Sequence, residues 1–256
     1  MRPVEGRRSL TTGATRPIIV NDFTSIGADG RLRRRDREQP LVAGMNAGMK
    51  KISESAVRRL SLYLRFLQEA EAAGSETISS GELARRGGTT SAQVRKDLSL
   101  FGSFGKRGMG YSVPELLREI RQILGLTRPW NVAVIGAGRL GSALSSFRDF
   151  EARGFQIRAV FDSDRAKIGQ SWGGLTVQPD EELDATLRER RVDIAIVAVP
   201  AEAAQTVVDR AVAAGVKSLL NFAPVRLRVP RGVTLRNVDV TLELEGLSFA
   251  LANGKG

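Results

Sequence analysis

NVAVIGAGRLGSAL, Asn131 to Leu144, decides the fold: an apolar run meets a glycine cluster and continues with helix-forming residues. Gly136, Gly138 and Gly141 supply the G-x-G-x-x-G spacing of a turn that joins a strand to a helix and holds a dinucleotide. The three glycines answer different demands. The first permits the tight turn, the second lets a pyrophosphate approach the backbone, and the third lets helix and strand pack closely. Ala137, Arg139 and Leu140 complete the loop, and the amides that open the following helix face the phosphates.

Working outward, FQIRAVFD from Phe155 reads as a second strand ending in Asp162, about 20 positions after Gly141, where the ribose-binding acid is expected. A carboxylate there accepts hydrogen bonds from ribose hydroxyls and repels a 2'-phosphate, so NADH and NAD+ are favoured over their phosphorylated forms. Two further strands, VDIAIVAVP (Val192 to Pro200) and VKSLLNFAP (Val216 to Pro224), flank a helix carrying Ala203, Val207, Val208 and Ala211. The fold class is α/β, a doubly wound parallel sheet, and ligands bind outside the carboxyl ends of such strands. Val199, Pro200, Asn221, Phe222, Ala223 and Pro224 are therefore expected in the cofactor cleft, although either proline also serves simply to end a strand. The same fold accommodates coenzyme A or another nucleotide.

Towards the N-terminus the pattern changes to short helices. Val57, Leu60, Leu64 and Leu67 recur at helical spacing from about Ser53 to Ala73, and Gly74 can terminate that helix. Ser79 with Glu82 forms a capping box for a second helix that Gly87 and Gly88 end; Thr90 with Gln93 opens a third, SAQVRKDLSLF. Two short helices across a tight glycine turn, the second loaded with polar side chains, fit a helix-turn-helix. Ser91, Gln93, Arg95 and Lys96 are the candidate DNA contacts on its recognition helix, with Asp97 assigned to a local salt bridge or cap. GKRGMGYSV, Gly105 to Val113, predicts a hairpin that offers Lys106 and Arg107 to the DNA backbone as a wing. A three-helix cap whose charges merely face water fits the same spacing. Pro114 to Leu124 predicts a linking helix, with Pro129 and Trp130 at the boundary.

The 256 residues are 42% hydrophobic and 26% charged, enough for two packed domains, and carry a net charge of +11, most of it before Val113. With neither cysteine nor histidine, disulfides, thiol nucleophiles, imidazole acid–base chemistry and Cys/His metal sites are excluded, and no metal is expected. No apolar run spans a bilayer and no signal peptide is evident, so the expected location is cytoplasmic. The expected division is a disordered extension at 1–48, a winged-helix DNA-binding domain at 49–126, a Rossmann domain at 127–238 and a C-terminal helix at 239–256. Met45 and Met49 are alternative starts. The apolar end, TLELEGLSFALAN, packs either on its own domain or on a partner subunit, and symmetric half-sites favour a homodimer.

VRRLSLYLRFL, SSGEL, AQVRKDLSLFGSFGKRGMGYSVPEL, VIGAGRLGSAL, FDSDRAKIG, VPAEAAQ and LLNFAP, in this order from Met49 onward, together resemble the Rex family of redox-sensing repressors. The resemblance implies a homodimer on a palindromic double-stranded operator, released when NADH fills the Rossmann domains, with C-terminal helices exchanged between subunits. It further implies that Arg65, Arg139 and Asp239 couple nicotinamide state to the DNA-binding domain. Phe147 departs from the family's frequent tyrosine at that position. A phenyl ring cannot hydrogen-bond the aspartate, but it can pack beside neutral dihydronicotinamide while Asp239 favours the cationic ring. The competing reading of the fold is an NAD-dependent dehydrogenase with a basic accessory domain.

Overall fold

The computed structural model describes residues 25–26, 32–33, 52–102, 109–147 and 149–254. The chain separates into two units, Met1–Ile52 and Ser53–Gly256. In the first, β1 (Ser25–Ile26) and β2 (Leu32–Arg33) pair antiparallel, with Ser25 opposite Arg33. Those four residues of the segment expected to be unstructured are therefore extended and paired; the rest of 1–48 lies outside the described residues.

The second unit opens with α1 (Glu54–Ala72), which begins where the Ser53 hydroxyl accepts from the Ala56 amide at 3.3 Å and stops ahead of Gly74, whose φ is +75°. Its buried face is Leu60, Tyr63, Leu64 and Leu67, the spacing of one helix stripe. After β3 (Thr77–Ile78) come α2 (Ser80–Arg86) and α3 (Ser91–Ser99). The Ser79 hydroxyl caps α2 by accepting from the Glu82 amide at 3.0 Å, and Thr90 caps α3 by accepting from the Gln93 amide at 3.1 Å. β4 (Tyr111–Ser112) then leads into α4 (Val113–Ile123), which carries a proline in its first turn, as its missing amide permits.

Of the stretch expected to form the wing, residues 105–108 lie outside the described residues. β4 pairs with β3, Ile78 opposite Tyr111, so the strand after the expected hairpin tip returns to a partner upstream of α2. Gly110 explains the closeness: it has φ +81°, and a Cβ there would sit 2.7 Å from the Ile78 carbonyl oxygen. Lys106 and Arg107 lie outside the described residues.

The remainder winds about one sheet. Its elements are β5 (Trp130–Ile135), α5 (Arg139–Ser145), α6 (Asp149–Ala152), β6 (Phe155–Asp162), β7 (Ser171–Trp172) and β8 (Leu175–Pro179). α7 (Leu183–Glu189), β9 (Ile194–Val197), α8 (Ala201–Ala213), β10 (Ser218–Asn221), β11 (Thr234–Asn237) and α9 (Val240–Ala252) follow. The strand order is β11-β10-β9-β5-β6-β8-β7, parallel except for the β7–β8 pair. Without the β7 edge this is the 3-2-1-4-5-6 order of a Rossmann sheet, reversing direction between β5 and β9. Side chains alternate across it: Ala133 and Ile135 join Phe161, Leu183 and Val208 on one face, while Val132 and Val134 join Val160 and Ile196 on the other. β7, β8, α7 and β11 had no assignment from sequence.

Asp97, only 2% exposed, fastens α3 to α1. Its carboxylate accepts from Arg59 Nε at 2.6 Å and Nη2 at 2.7 Å, from the Tyr63 hydroxyl at 3.1 Å and from Gln93 Nε2 at 2.7 Å. Burial opposes its charge, but the hydrogen bonds from Arg59, Gln93 and Tyr63 together with the guanidinium charge prevail, holding the carboxyl below its ordinary value. Burial and the adjacent carboxylate push the Tyr63 phenol up to about 12. A group whose folded pKa is lowered contributes stability that is complete above its unfolded value and lost as pH falls through the folded one. In urea unfolding at pH 7, Asp97→Ala should cost about 3 kcal/mol by stranding Arg59, against about 1 kcal/mol for Tyr63→Phe. The gap between wild type and Asp97→Ala should narrow below roughly pH 4; an equal gap at pH 3 and pH 7 would show that the carboxylate charge is not its source.

Candidate nucleotide cleft and DNA-reading face

Each glycine of the loop sits where its absent side chain matters in a different way. Gly136 has φ +101°, and a Cβ there would lie 2.4 Å from the Ala198 carbonyl oxygen, so it is fixed both by the turn and by the neighbouring strand end. A Cβ on Gly141 would meet the Gly136 carbonyl oxygen at 1.9 Å, because α5 rests directly on the loop. Around Gly138, by contrast, a Cβ would find nothing within 4 Å: the backbone there faces open space. Gly138 is also the N-cap of α5 and provides no side-chain cap, which leaves the first-turn amides available to an acceptor from outside.

Asp162 closes the loop from the end of β6. One carboxylate oxygen accepts from the Ala137 amide at 2.7 Å and from Lys167 Nζ at 3.1 Å, and the other accepts from the Asp164 amide at 2.8 Å. Lys167, which sequence spacing did not single out, also lies 3.7 Å from Asp164 and offsets part of the negative charge at the expected ribose site. The signal for it was the DSDRAK stretch itself, where a lysine five positions after the acid returns along a turn.

The remaining expected cleft residues converge on the same edge of the sheet. Val199 abuts Gly136, with its Cγ1 3.0 Å from the position of a Gly136 Cβ, and Pro200 is the N-cap of α8. Asn221, 1% exposed, has a different task from the one expected: its Oδ1 accepts from the Ala223 amide at 2.9 Å, and its Nδ2 donates to the Ala223 carbonyl and to Asn237 Oδ1, both at 3.0 Å. Its side chain thus braces the loop that presents Phe222, Ala223 and Pro224. Arg139 and Leu140 are exposed at the start of α5.

The coupling candidates are not joined within one chain: among the described residues no hydrogen bond or ion pair links Arg65, Arg139, Phe147 and Asp239. Arg65 is exposed on α1, and Asp239 caps α9 by accepting from the Thr241 amide at 2.9 Å. Phe147, 52% exposed, meets Phe150 edge-on with ring centroids 5.1 Å apart. On α3, Gln93 is held by Asp97 and Arg95 Nη1 donates to the Ser80 hydroxyl at 3.2 Å, whereas Lys96 is exposed and Ser91 lies half-buried in the first turn. The expected reach of Gln93 towards a base is thereby curtailed, since its amide already has a buried acceptor.

Two known families match the chain: "CoA binding domain" over residues 127–225 and "Putative DNA-binding protein N-terminus" over residues 51–99. A redox-sensing transcriptional repressor Rex of Desulforamulus reducens is 50% identical over 202 residues, covering 79% of this chain and 96% of the relative. The chain belongs to the Rex family. The Rex of Thermus thermophilus is 47% identical, covering 80% of this chain and 96% of its own, and that of Streptomyces coelicolor is 46% identical, covering 77% of each. Among solved structures, the Rex-family repressor RSP in complex with β-NAD+ and operator DNA superposes with a TM-score of 0.76 at 36% identity, covering 80% of this chain and 95% of RSP. RSP in complex with β-NADH gives 0.72 at 35% identity, covering 80% and 97%.

The glycine geometry separates fold from binding in this Rex-family chain. Gly141→Ala should lower the melting temperature sharply, because a backbone oxygen occupies the place of the new methyl, whereas Gly138→Ala should melt within a few degrees of wild type. Calorimetric titration with NADH should nevertheless show Gly138→Ala binding at least about tenfold more weakly, since the methyl occupies the space a pyrophosphate needs; wild-type affinity in that variant would remove Gly138 from the site.

Proposed function

We propose that this chain is a homodimeric transcriptional repressor that binds a palindromic double-stranded operator through its winged helices and releases it when NADH enters the Rossmann cleft. The observation that carries this reading is one compact unit holding both a capped helix-turn-helix with an exposed Lys96 and a glycine loop left open at Gly138. The Rex relatives are redox-sensing transcriptional repressors, and RSP has been solved with operator DNA and NAD+ and with NADH. The proposed cofactor-binding residues are Gly136 to Gly141, Asp162, Val199, Pro200 and Phe222 to Pro224, with Asn221 as the brace. The proposed DNA contacts are Ser91, Arg95 and Lys96, with Gln93 as a weaker candidate and Lys106 and Arg107 on the wing. The proposed division at residues 49–126, 127–238 and 239–256 is supported by one apolar cluster from Leu60 to Leu126, two further clusters within 127–238, and the exposed apolar side chains of α9.

NADH and operator favour different arrangements of one dimer, so each weakens the other by the same free energy. A switch from mostly bound to mostly free needs roughly 10⁴-fold differential affinity, which two NADH sites share. Fluorescence anisotropy of a labelled palindromic operator should show tight binding reversed by NADH and only weakly by NAD+ or NADPH. Binding indifferent to all three would leave a DNA-binding protein with another ligand. Steady NADH consumption with a small carbonyl compound would instead favour a dehydrogenase.

The dimer reading rests on α9, where Val240, Leu242, Leu244, Leu247, Phe249 and Leu251 are each at least 60% exposed. A helix apolar on all sides is normally enclosed, and a subunit related by a twofold axis supplies that enclosure by exchange. Leu247→Asp should yield a monomer in sedimentation with operator affinity reduced at least about tenfold, because one half-site is then bound at a time; an intact dimer would place the interface elsewhere.

A further inference from the structure

A cleft of about 600 Å³ separates α1 and the end of α4 from the start of β6. We propose that it is a second ligand site, distinct from the Rossmann cleft, which takes a free nucleoside polyphosphate. Its volume falls in the range of small-molecule pockets. The floor is apolar, built from Leu64, Leu124, Leu126 and Phe155, and the rim carries Arg65, Arg121, Arg128 and Arg153 against the single carboxylate of Glu151.

These arginines are not equivalent. Arg128 is held bidentate by Asp193, at 3.0 and 3.2 Å, and its Cζ lies over the Trp130 ring, 3.7 Å from the centroid. Its charge is compensated, but it remains half-exposed, and its outer face is a fixed planar cation on which a base can stack. Among the described residues Arg65 and Arg121 have no ion-pair partner, and Arg153 only approaches Asp149 at 3.8 Å. Two guanidinium groups without an ion-pair partner and a third loosely paired with Asp149, lining one cleft with apolar side chains and a planar cation, suit a ligand with several phosphate charges and one aromatic ring.

A distance and an angle separate this cleft from the Rossmann cleft and from the contact of α1 with α3, although its Arg65 is also one of the coupling candidates. Phe155 and Asp162 are the two ends of β6, roughly 23 Å apart in an extended strand, so a dinucleotide held at Asp162 does not reach this cleft. On α1, the cleft residues Ser61, Leu64, Arg65 and Gln68 form a stripe, while Tyr63, which grips Asp97 of α3, points about 160–200° away from Ser61 and Arg65. DNA read by α3 therefore leaves the cleft open. A ligand bridging α1 and the sheet favours whichever domain arrangement keeps the walls at this separation, giving the repressor a second input besides nicotinamide state.

The test is calorimetric titration of the full chain with ATP, with and without saturating NADH, beside sodium triphosphate and inorganic phosphate. The expected result is one ATP per chain, its affinity shifted but not abolished by NADH because both ligands bias one domain arrangement, at least tenfold tighter than triphosphate, with phosphate undetectable. The double variant Arg121→Gln/Arg153→Gln should weaken ATP at least tenfold while its melting temperature and NADH affinity stay at wild-type values. Arg65→Gln, on the other wall, should weaken ATP likewise and guards against a folding defect in the double variant. ATP binding abolished by NADH would assign ATP to the Rossmann cleft and overturn the proposal. So would the absence of ATP binding or an affinity indifferent to the substitutions, and triphosphate matching ATP would overturn the nucleoside assignment.

Discussion

The contact between α5 and the turn that precedes it sets the geometry of the nucleotide cleft. Gly141 lies so close to the Gly136 carbonyl oxygen that no side chain fits, and Gly136 is in turn pressed against the Ala198 carbonyl at the end of β9. Helix, turn and adjacent strand are therefore locked at one separation, and the sheet's reversal between β5 and β9 opens beside them. Asp162 adds a second constraint from β6 by accepting from the Ala137 amide. With three strand ends fixed in this way, the space at Gly138 is a consequence of the packing around it, and the amides of α5 are presented to it at a fixed angle.

The DNA-reading half depends on an analogous but polar constraint. Asp97 is buried between α1 and α3 with a guanidinium, a phenol and an amide all donating to it, so α3, the proposed recognition helix, is oriented by directional bonds as well as by the Leu60, Tyr63, Val94 and Leu98 core. Removing either partner of such a pair strands the other, which is why the cluster specifies one orientation more strongly than an apolar contact of equal area. The same α1 carries the arginine-bearing stripe on its far side, and its first residue, Glu54, is ion-paired to Arg236 of β11. α1 thus contacts both the Rossmann sheet, through Glu54, and α3, through Arg59 and Tyr63.

Electrostatics divide along similar lines. The net charge of +11 is a long-range attraction for a polyanion, but few of the proposed DNA contacts on α3 are unencumbered once Gln93 is tied to Asp97 and Arg95 rests on Ser80. Lys96 remains the unencumbered cation of α3 among the described residues. At the proposed ribose site the balance is finer, because Lys167 pairs with Asp162, the acid proposed to disfavour a 2'-phosphate.

The chain's local chemistry determined much by itself. The strand–glycine–helix unit at Asn131 to Leu144, the helix start near Ser53, the caps at Ser79 and Thr90, and the stop at Gly74 all appear in place, because each is settled by neighbours within a few residues and by steric rules that hold in any context. The resemblance to Rex, spread over both domains, was legible for the same reason: it is an ordered series of such local motifs. Tertiary structure decided what depends on partners distant in sequence. β4 returns to β3 across α2 and α3, Arg59 reaches Asp97 over 38 positions, and Asn221 turns inward to Ala223 and Asn237. The edge strands β7 and β11 also escaped notice, being short and stabilised by pairing with a neighbour more than by any pattern of their own. Whether a carboxylate, an amide or a lysine is a ligand-binding group or a brace is fixed by which donor the folded chain brings within about 3 Å, and residue spacing carries no record of that.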